Sequence, residues 1–150
     1  MLRWTSLIAV LAVLLAGCGE APRPAAKSGT GALRTDVEPL TKRFSALGTP
    51  ERVRWMSGTF GSDRAPGPST YWIDAVITLP QSKIDELKSA HAPQATGATP
   101  DVVDGLRAEL PAGTFLTGDR LDQAFAHDTW VAKAYLAADN GTLVLVATGS

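Results

Sequence analysis

Few side chains in this sequence of 150 residues could carry out nucleophilic or acid–base chemistry. It contains one cysteine, Cys18, and two histidines, His91 and His127, the second of which is followed directly by Asp128. A histidine oriented by a carboxylate can act as a general base for a serine or for water. Adjacent residues of an extended chain point to opposite sides, however, so His127 and Asp128 are more typical of a turn than of a catalytic pair.

Other catalytic and metal-binding patterns do not fit the sequence. Ser57 precedes Gly58, but Trp55 and Met56 before it do not complete a Gly-x-Ser-x-Gly turn. The two histidines lack the i, i+4 spacing that places two metal ligands on one helical face. The glycines of residues 58–67 match neither common phosphate-binding pattern. The sequence therefore predicts no catalytic residue, no metal site and no cofactor.

Cys18 closes an apolar N-terminal segment. Residues 7–16 are all apolar, and Arg3 is the only charged side chain before them. This run is too short to span a membrane, which takes about 20 residues, and is typical of a signal peptide. Leu15, Ala16, Gly17 and Cys18 resemble the lipobox of bacterial lipoproteins.

The resemblance to bacterial lipoproteins implies export from the cytoplasm and a lipid anchor. Residues 1–17 would be removed as a type II signal peptide, with cleavage between Gly17 and Cys18. Cys18 would then carry acyl chains and become the first residue of the mature protein. Two acyl chains suffice for stable anchoring, so we expect a lipid-anchored protein on the outer side of the cell membrane. The alternative is an ordinary cleaved signal, which would release a free secreted protein.

The overall charge gives little support for a nucleic-acid partner. Lysine and arginine total 14 and aspartate and glutamate total 15, a formal net charge of −1 at pH 7. No basic cluster stands out in the sequence, so binding to nucleic acid is not expected. The expected partners are the membrane, through the lipid, and an envelope protein or cell-wall component.

Composition divides the remaining chain into two parts. Residues 18–34 are small and turn-forming, which predicts a flexible linker behind the lipidated cysteine. Residues 35–150 are long enough for one domain. Within it, helices are predicted at residues 39–47, 82–91, 99–110 and 119–125, and strands at residues 52–60, 71–79, 129–136 and 142–147. The last two strands flank Asn140 and Gly141, a hairpin-turn pair.

The alternation of side chains separates each predicted strand into two faces. One face, here called the apolar face, is almost wholly apolar; it includes Val53, Trp55, Ile73, Ala75, Ile77, Trp130, Ala132, Ala134, Leu143 and Leu145. The helices carry matching apolar stripes. We therefore predict an α+β fold, with an antiparallel sheet of about four strands and helices packed on one face, an open-faced sandwich.

The opposite face, here called the mixed face, combines charged and aromatic side chains. Its candidate binding residues are Arg54, Trp72, Asp74, Lys133 and Tyr135. Tryptophan, tyrosine and arginine contribute most of the energy in many interfaces, so a recognition surface is one interpretation. A cross-strand charge cluster on a solvated sheet is the other.

These patterns favour a membrane-anchored extracytoplasmic lipoprotein that acts as a non-enzymatic binding module of the cell envelope. Two alternatives stay open on the sequence alone. One is an envelope hydrolase whose catalytic residues come together only in the folded chain, and the other is a purely structural envelope component.

Overall fold

A computed structural model describes residues 26–28, 31–61 and 69–150. The predicted signal peptide, its cleavage position and the lipidation residue Cys18 lie outside the described residues. No helix in the described part of the chain is both long and apolar enough to cross a membrane.

The described residues form an α+β fold built on one antiparallel sheet, as predicted. The strands are β1 (Lys27–Ser28), β2 (Arg52–Phe60), β3 (Tyr71–Thr78), β4 (Gln94–Ala95), β5 (Leu116–Thr117), β6 (Val131–Ala137) and β7 (Thr142–Gly149). Their order across the sheet is β1-β2-β3-β7-β6-β5-β4. The four long strands are the predicted ones, and the three two-residue strands were not predicted.

Within the described ranges, four α-helices accompany the sheet: α1 (Glu38–Arg43), α2 (Gln81–His91), α3 (Asp104–Arg107) and α4 (Asp119–Ala124). Helix α1 has Pro39 in its first turn, an acidic residue at its start and basic residues at its end, each of which suits the helix dipole. A short 3-10 helix, Ser45–Leu47, follows it. Gly48, at a φ of 65°, then turns the chain towards β2.

The apolar face forms the larger of two hydrophobic clusters. Val53, Trp55, Ile77 and Leu145 are buried there against α1, α2 and α4. Each such side chain contributes about 2 kcal/mol when it is removed from water. The apolar face predicted from strand alternation is therefore confirmed.

The mixed face is not open, which corrects the predicted sandwich with helices on one face only. Residues 100–115, here called the covering segment, lie across it and bury Val102, Leu106 and Phe115 against β2, β3 and β7. Helix α3 belongs to this segment. The predicted helix at residues 99–110 is therefore mostly wrong, because only Asp104–Arg107 is α-helical.

The predicted linker also differs from the structure. Strand β1 pairs with β2, placing Lys27 opposite Phe60 and Ser28 opposite Thr59. Arg34 then forms an isolated antiparallel bridge with Trp55. Residues 26–28 and 31–34 therefore belong to the folded domain, and its start lies before residue 35.

Candidate functional site

The five residues proposed as a binding face lie on one side of the sheet, but they do not form one exposed surface. Trp72 and Asp74 are fully buried beneath the covering segment. Arg54 lies 3.8 Å from the carboxylate of Glu109 in that segment. Their expected role as parts of an open recognition patch is therefore wrong for Trp72 and Asp74, since no partner can reach either side chain in this conformation.

Asp74 instead connects three parts of the chain. Both of its carboxylate oxygens accept hydrogen bonds from the Lys27 ammonium of β1 at 2.7 Å. The backbone N–H of Val103 in the covering segment donates to Oδ2, also at 2.7 Å. Burial raises the pKa of the Asp74 carboxyl above its ordinary value of 3.8, and the contact with Lys27 opposes that rise only in part.

Trp72 has a related structural role. Its indole Nε1–H is shared between the carbonyl oxygens of Ser28 in β1 and Thr59 in β2, at 3.1 and 3.0 Å. The Lys27 ammonium lies 5.5 Å from the centre of the indole ring. Trp72 and Asp74 thus hold the two-residue strand β1 in place.

Lys133 and Tyr135 remain accessible and line one shared cavity of about 270 Å³ next to β5 and α4. The Lys133 ammonium donates to Asp122 Oδ2 at 2.6 Å, and this bond raises the pKa of Lys133. Tyr135 packs edge-on against Phe115 of the covering segment, and its partial burial raises the pKa of its hydroxyl. The structure therefore brings these two predicted residues together and separates them from Arg54.

A larger cavity, of about 400 Å³, opens on the opposite side of the molecule, beside the apolar core. We call it the arginine–tryptophan cleft. It lies between α1 and the sheet, beside the middle of β2 and the start of β3. Its lining residues are Arg34, Pro39, Leu40, Arg43, Trp55, Ser57, Tyr71, Ile73, Trp130 and Ser150.

The first pair that lines the cleft is Arg34 and Trp55. The Arg34 guanidinium lies 3.9 Å from the centre of the buried Trp55 ring, a favourable cation–π distance. Two backbone hydrogen bonds, at 2.8 and 3.0 Å, join the same residues. The Trp55 indole N–H donates to the carbonyl oxygen of Asp36 at 3.0 Å. Hydrogen bonds therefore fix both the backbone and the indole N–H of Trp55, and the Arg34 guanidinium is held over the ring.

The second pair is Arg43 and Trp130. The Arg43 guanidinium, at the end of α1, lies 4.4 Å from the centre of the Trp130 ring. Phe44 packs edge-on against the same indole, with ring centres 6.3 Å apart. On the sheet side, Trp130 lies so close to Gly149 that a Cβ atom there would be 2.3 Å from the indole. Glycine at position 149 is what allows this approach.

The side chains that line the cleft carry two positive charges, and Ser150, the last residue of the sequence, also lines it. Arg34 donates from Nε to Asp36 at 3.0 Å, and this contact holds the pKa of the Asp36 carboxyl below its ordinary value. Among the described residues, none pairs a carboxylate with Arg43. The cleft thus presents guanidinium groups beside the exposed ring of Tyr71 and the hydroxyl of Ser57.

The cleft was not predicted from the sequence. Arg34 was assigned to the predicted linker and Trp55 and Trp130 to the apolar face, whereas Arg43 was given no role. One signal was available: both tryptophans lie on the apolar face, where a large ring offers a flat surface to a cation. Nothing in the sequence indicated which arginines would cover them.

The histidine and acidic residues form no alternative centre in the described part of the chain. His127 Nδ1 lies 3.1 Å from Asp128 Oδ2, and both side chains are exposed in a turn where Asp128 has a φ of 49°. No group of three histidine, cysteine, aspartate or glutamate residues within the described ranges could hold a metal ion.

Comparisons with known proteins provide no relative: no family model, no curated protein and no solved structure matches this chain.

Proposed function

We propose that this chain is a lipid-anchored, extracytoplasmic binding module of the cell envelope. The pattern of residues 15–18 supports anchoring through Cys18. The arginine–tryptophan cleft supports binding, and it is the observation on which the function rests. The proposed partners are the membrane, through the lipid, and an envelope protein or cell-wall component that enters the cleft.

The cleft is suited to binding because its cationic groups are held in place before a ligand arrives. Arg34 and Arg43 each lie on a buried indole, and hydrogen bonds or close packing fix both indoles. A ligand therefore has little side-chain motion to arrest, and this reduces the entropic cost of association. The volume of the cleft lies in the range of small-molecule and peptide-side-chain pockets.

The hydrolase alternative has no comparable support among the described residues. Ser57 lines the cleft, but neither described histidine lines it with Ser57. The His127 side chain faces Asp128 and the ring of Phe44 instead.

A photo-cross-link from the cleft tests the binding function. Tyr71 lines the cleft and is 46% exposed, so p-benzoylphenylalanine can replace it with little disturbance. We expect the full-length protein in its native envelope to give a discrete adduct from position 71. The same probe at the exposed position Lys88 on α2, away from the cleft, is the matched control and should give none.

Two results would contradict the binding function. One is no adduct from position 71 in a protein shown to be lipidated and folded. The other is an identical set of adducts from positions 71 and 88, which would indicate random collision rather than a site.

The anchor is tested separately. We expect Cys18→Ser to abolish incorporation of labelled palmitate. Incorporation that persists in that variant would refute anchoring through Cys18 while leaving the cleft unaffected.

A further inference from the structure

We infer that the arginine–tryptophan cleft recognises a carboxylate or phosphate group that carries a ring or short apolar portion. This inference names the ligand class of the proposed binding function and rests on it. The two arginines leave hydrogen-bond donors free, and apolar and aromatic side chains line the cleft around them.

Arg43 is the main cationic group of the cleft. One face of its guanidinium lies on Trp130, which leaves the N–H groups at the edge of the guanidinium directed away from the ring. No described carboxylate neutralises it. Its neighbour on α1, Lys42, contrasts with it: Lys42 pairs with Glu38 at 2.6 Å and does not line the cleft. Arg43 is therefore the free cation of the cleft among the described residues.

Arg34 adds a second, weaker anchor. Its Nε and one Nη donate to the two carboxylate oxygens of Asp36. A guanidinium has five N–H groups, so donors remain on the other nitrogen. The planar fork of arginine matches carboxylate and phosphate oxygens better than an ammonium group does. An anion in the cleft can thus bind Arg43 and reach Arg34.

The uncharged residues that line the cleft indicate the chemistry of the uncharged part of the ligand. Leu40 and Ile73 supply a buried apolar floor, Pro39 and the exposed ring of Tyr71 supply the sides, and the Ser57 hydroxyl supplies one polar contact. An inorganic anion would leave most of this cavity of about 400 Å³ unfilled. A carboxylate or phosphate attached to a ring or a short apolar group satisfies both the charge and the shape.

The experiment is a titration of the full-length protein in non-ionic detergent, labelled with ¹⁵N at tryptophan. The probes are phenyl phosphate, benzoate and inorganic phosphate, with benzyl alcohol as the neutral control. The indole N–H resonances of Trp55 and Trp130 report on the cleft, and that of buried Trp72 reports on the other face of the sheet. We expect phenyl phosphate or benzoate to shift the first two and not the third.

The matched variants are Arg43→Gln and Lys42→Gln, which remove one positive charge from adjacent positions of α1. We expect Arg43→Gln to weaken binding about tenfold, since it removes a charge-assisted hydrogen bond, and Lys42→Gln to leave it unchanged. Preference for phenyl phosphate or for benzoate decides which anion the cleft takes.

Several results would overturn the inference. Equal binding of benzyl alcohol would show that charge is not recognised, and this comparison needs no variant. Unchanged affinity in a folded Arg43→Gln protein, or no shift with either ring-bearing anion, would also overturn it. An adduct from position 71 with no anion binding would refute the ligand class and leave the binding function intact, whereas failure of both would refute both.

Discussion

The carboxylate of Asp74 lies 2.7 Å from the ammonium of Lys27, although 47 positions separate them in the sequence and the carboxylate is fully buried. The Lys27 side chain is 21% exposed, so water reaches only one member of the pair. This contact ties the first described strand to the centre of the sheet.

Replacing Lys27 should destabilise the fold. Lys27→Met leaves the Asp74 carboxylate buried without its cation, and loss of one partner of a buried pair costs about 3 kcal/mol. Urea denaturation at pH 7 measures this free energy of unfolding. Lys42→Met removes a lysine from an exposed pair with Glu38 and should cost less than about 0.5 kcal/mol. Equal effects of the two substitutions would show that Asp74 is solvated in solution.

The raised pKa of Asp74 predicts the sign of one pH effect. Because the folded protein binds this proton more tightly than the unfolded chain, the associated stability is fully present below the ordinary pKa of 3.8. It is lost as pH rises through the raised folded value. Removal of Lys27 should raise the pKa of Asp74 in the folded protein further. The Lys27→Met protein should therefore lose more stability than the wild-type protein as pH rises, and the loss should continue to higher pH.

The double variant Lys27→Met, Asp74→Asn removes the titrating carboxyl group. It should therefore lack the pH-dependent stability that comes from Asp74. Asp36, whose pKa is lowered, contributes stability above pH 3.8 that is lost as pH falls, but it is common to all three proteins and cancels in the comparison. Urea denaturation from pH 3.5 to pH 7 measures the curves. Parallel curves for the wild-type protein and the double variant would contradict the assignment to Asp74.

Gly149 should tolerate no side chain. A Cβ atom would lie 2.3 Å from the Trp130 indole, so Gly149→Ala must displace a buried ring, at a cost of about 2 kcal/mol. We also expect a change in tryptophan fluorescence and weaker contact between Trp130 and Arg43. Gly105→Ala is the matched control, because its nearest contact is the flexible Met56 side chain at 2.7 Å. Destabilisation by Gly105→Ala as large as that by Gly149→Ala would show that the rigidity of Trp130 is not the cause.

Asp122 and Lys133 should contribute unequally, although they form one ion pair. Asp122 Oδ1 accepts the backbone N–H of Ala134 at 2.8 Å while Oδ2 accepts from Lys133. Asp122→Ala should therefore cost about 1–2 kcal/mol, since it leaves a strand N–H without its partner. Lys133 is 65% exposed, so Lys133→Ala should cost below about 0.5 kcal/mol. Thermal unfolding of both variants measures the difference, and a larger loss for Lys133→Ala would contradict the backbone role of Asp122.

Side-chain alternation was sufficient to predict the larger of the two hydrophobic clusters. Val53, Ile77 and Leu145 lie on the apolar face because side chains alternate between the two faces of a strand. When one residue of a strand is buried, every second residue is buried with it. The four long strands and the antiparallel sheet follow from the same pattern. Strands of two residues, such as β1, are too short to show alternation, which is why the three short strands were not predicted.

The covering segment could not be predicted because its conformation depends on distant residues. Pro100 and the apolar spacing of Val103, Leu106 and Leu110 indicated a helix from residue 99. In the fold, the N–H of Val103 binds the buried carboxylate of Asp74, so the chain stays extended until Asp104. Tertiary contacts thus override local helix propensity, and they also bury the face that appeared open.

The cleft depends on tertiary contacts in the same way. Arg34 and Trp55 meet through an isolated bridge, and Arg43 meets Trp130 through the packing of α1 on the sheet. Sequence patterns assign residues to faces, but they do not show which arginine covers which indole.

The pairing of β1 with β2 also limits the length of chain between Cys18 and the folded domain. If Cys18 is acylated as proposed, about nine residues join the lipid to Lys27, and an extended chain of that number spans at most about 30 Å. Had residues 18–34 all been free, the limit would have been about twice as great. With that anchor, the domain would be held close to the bilayer surface. A ligand of the arginine–tryptophan cleft would then have to come within that distance of the membrane.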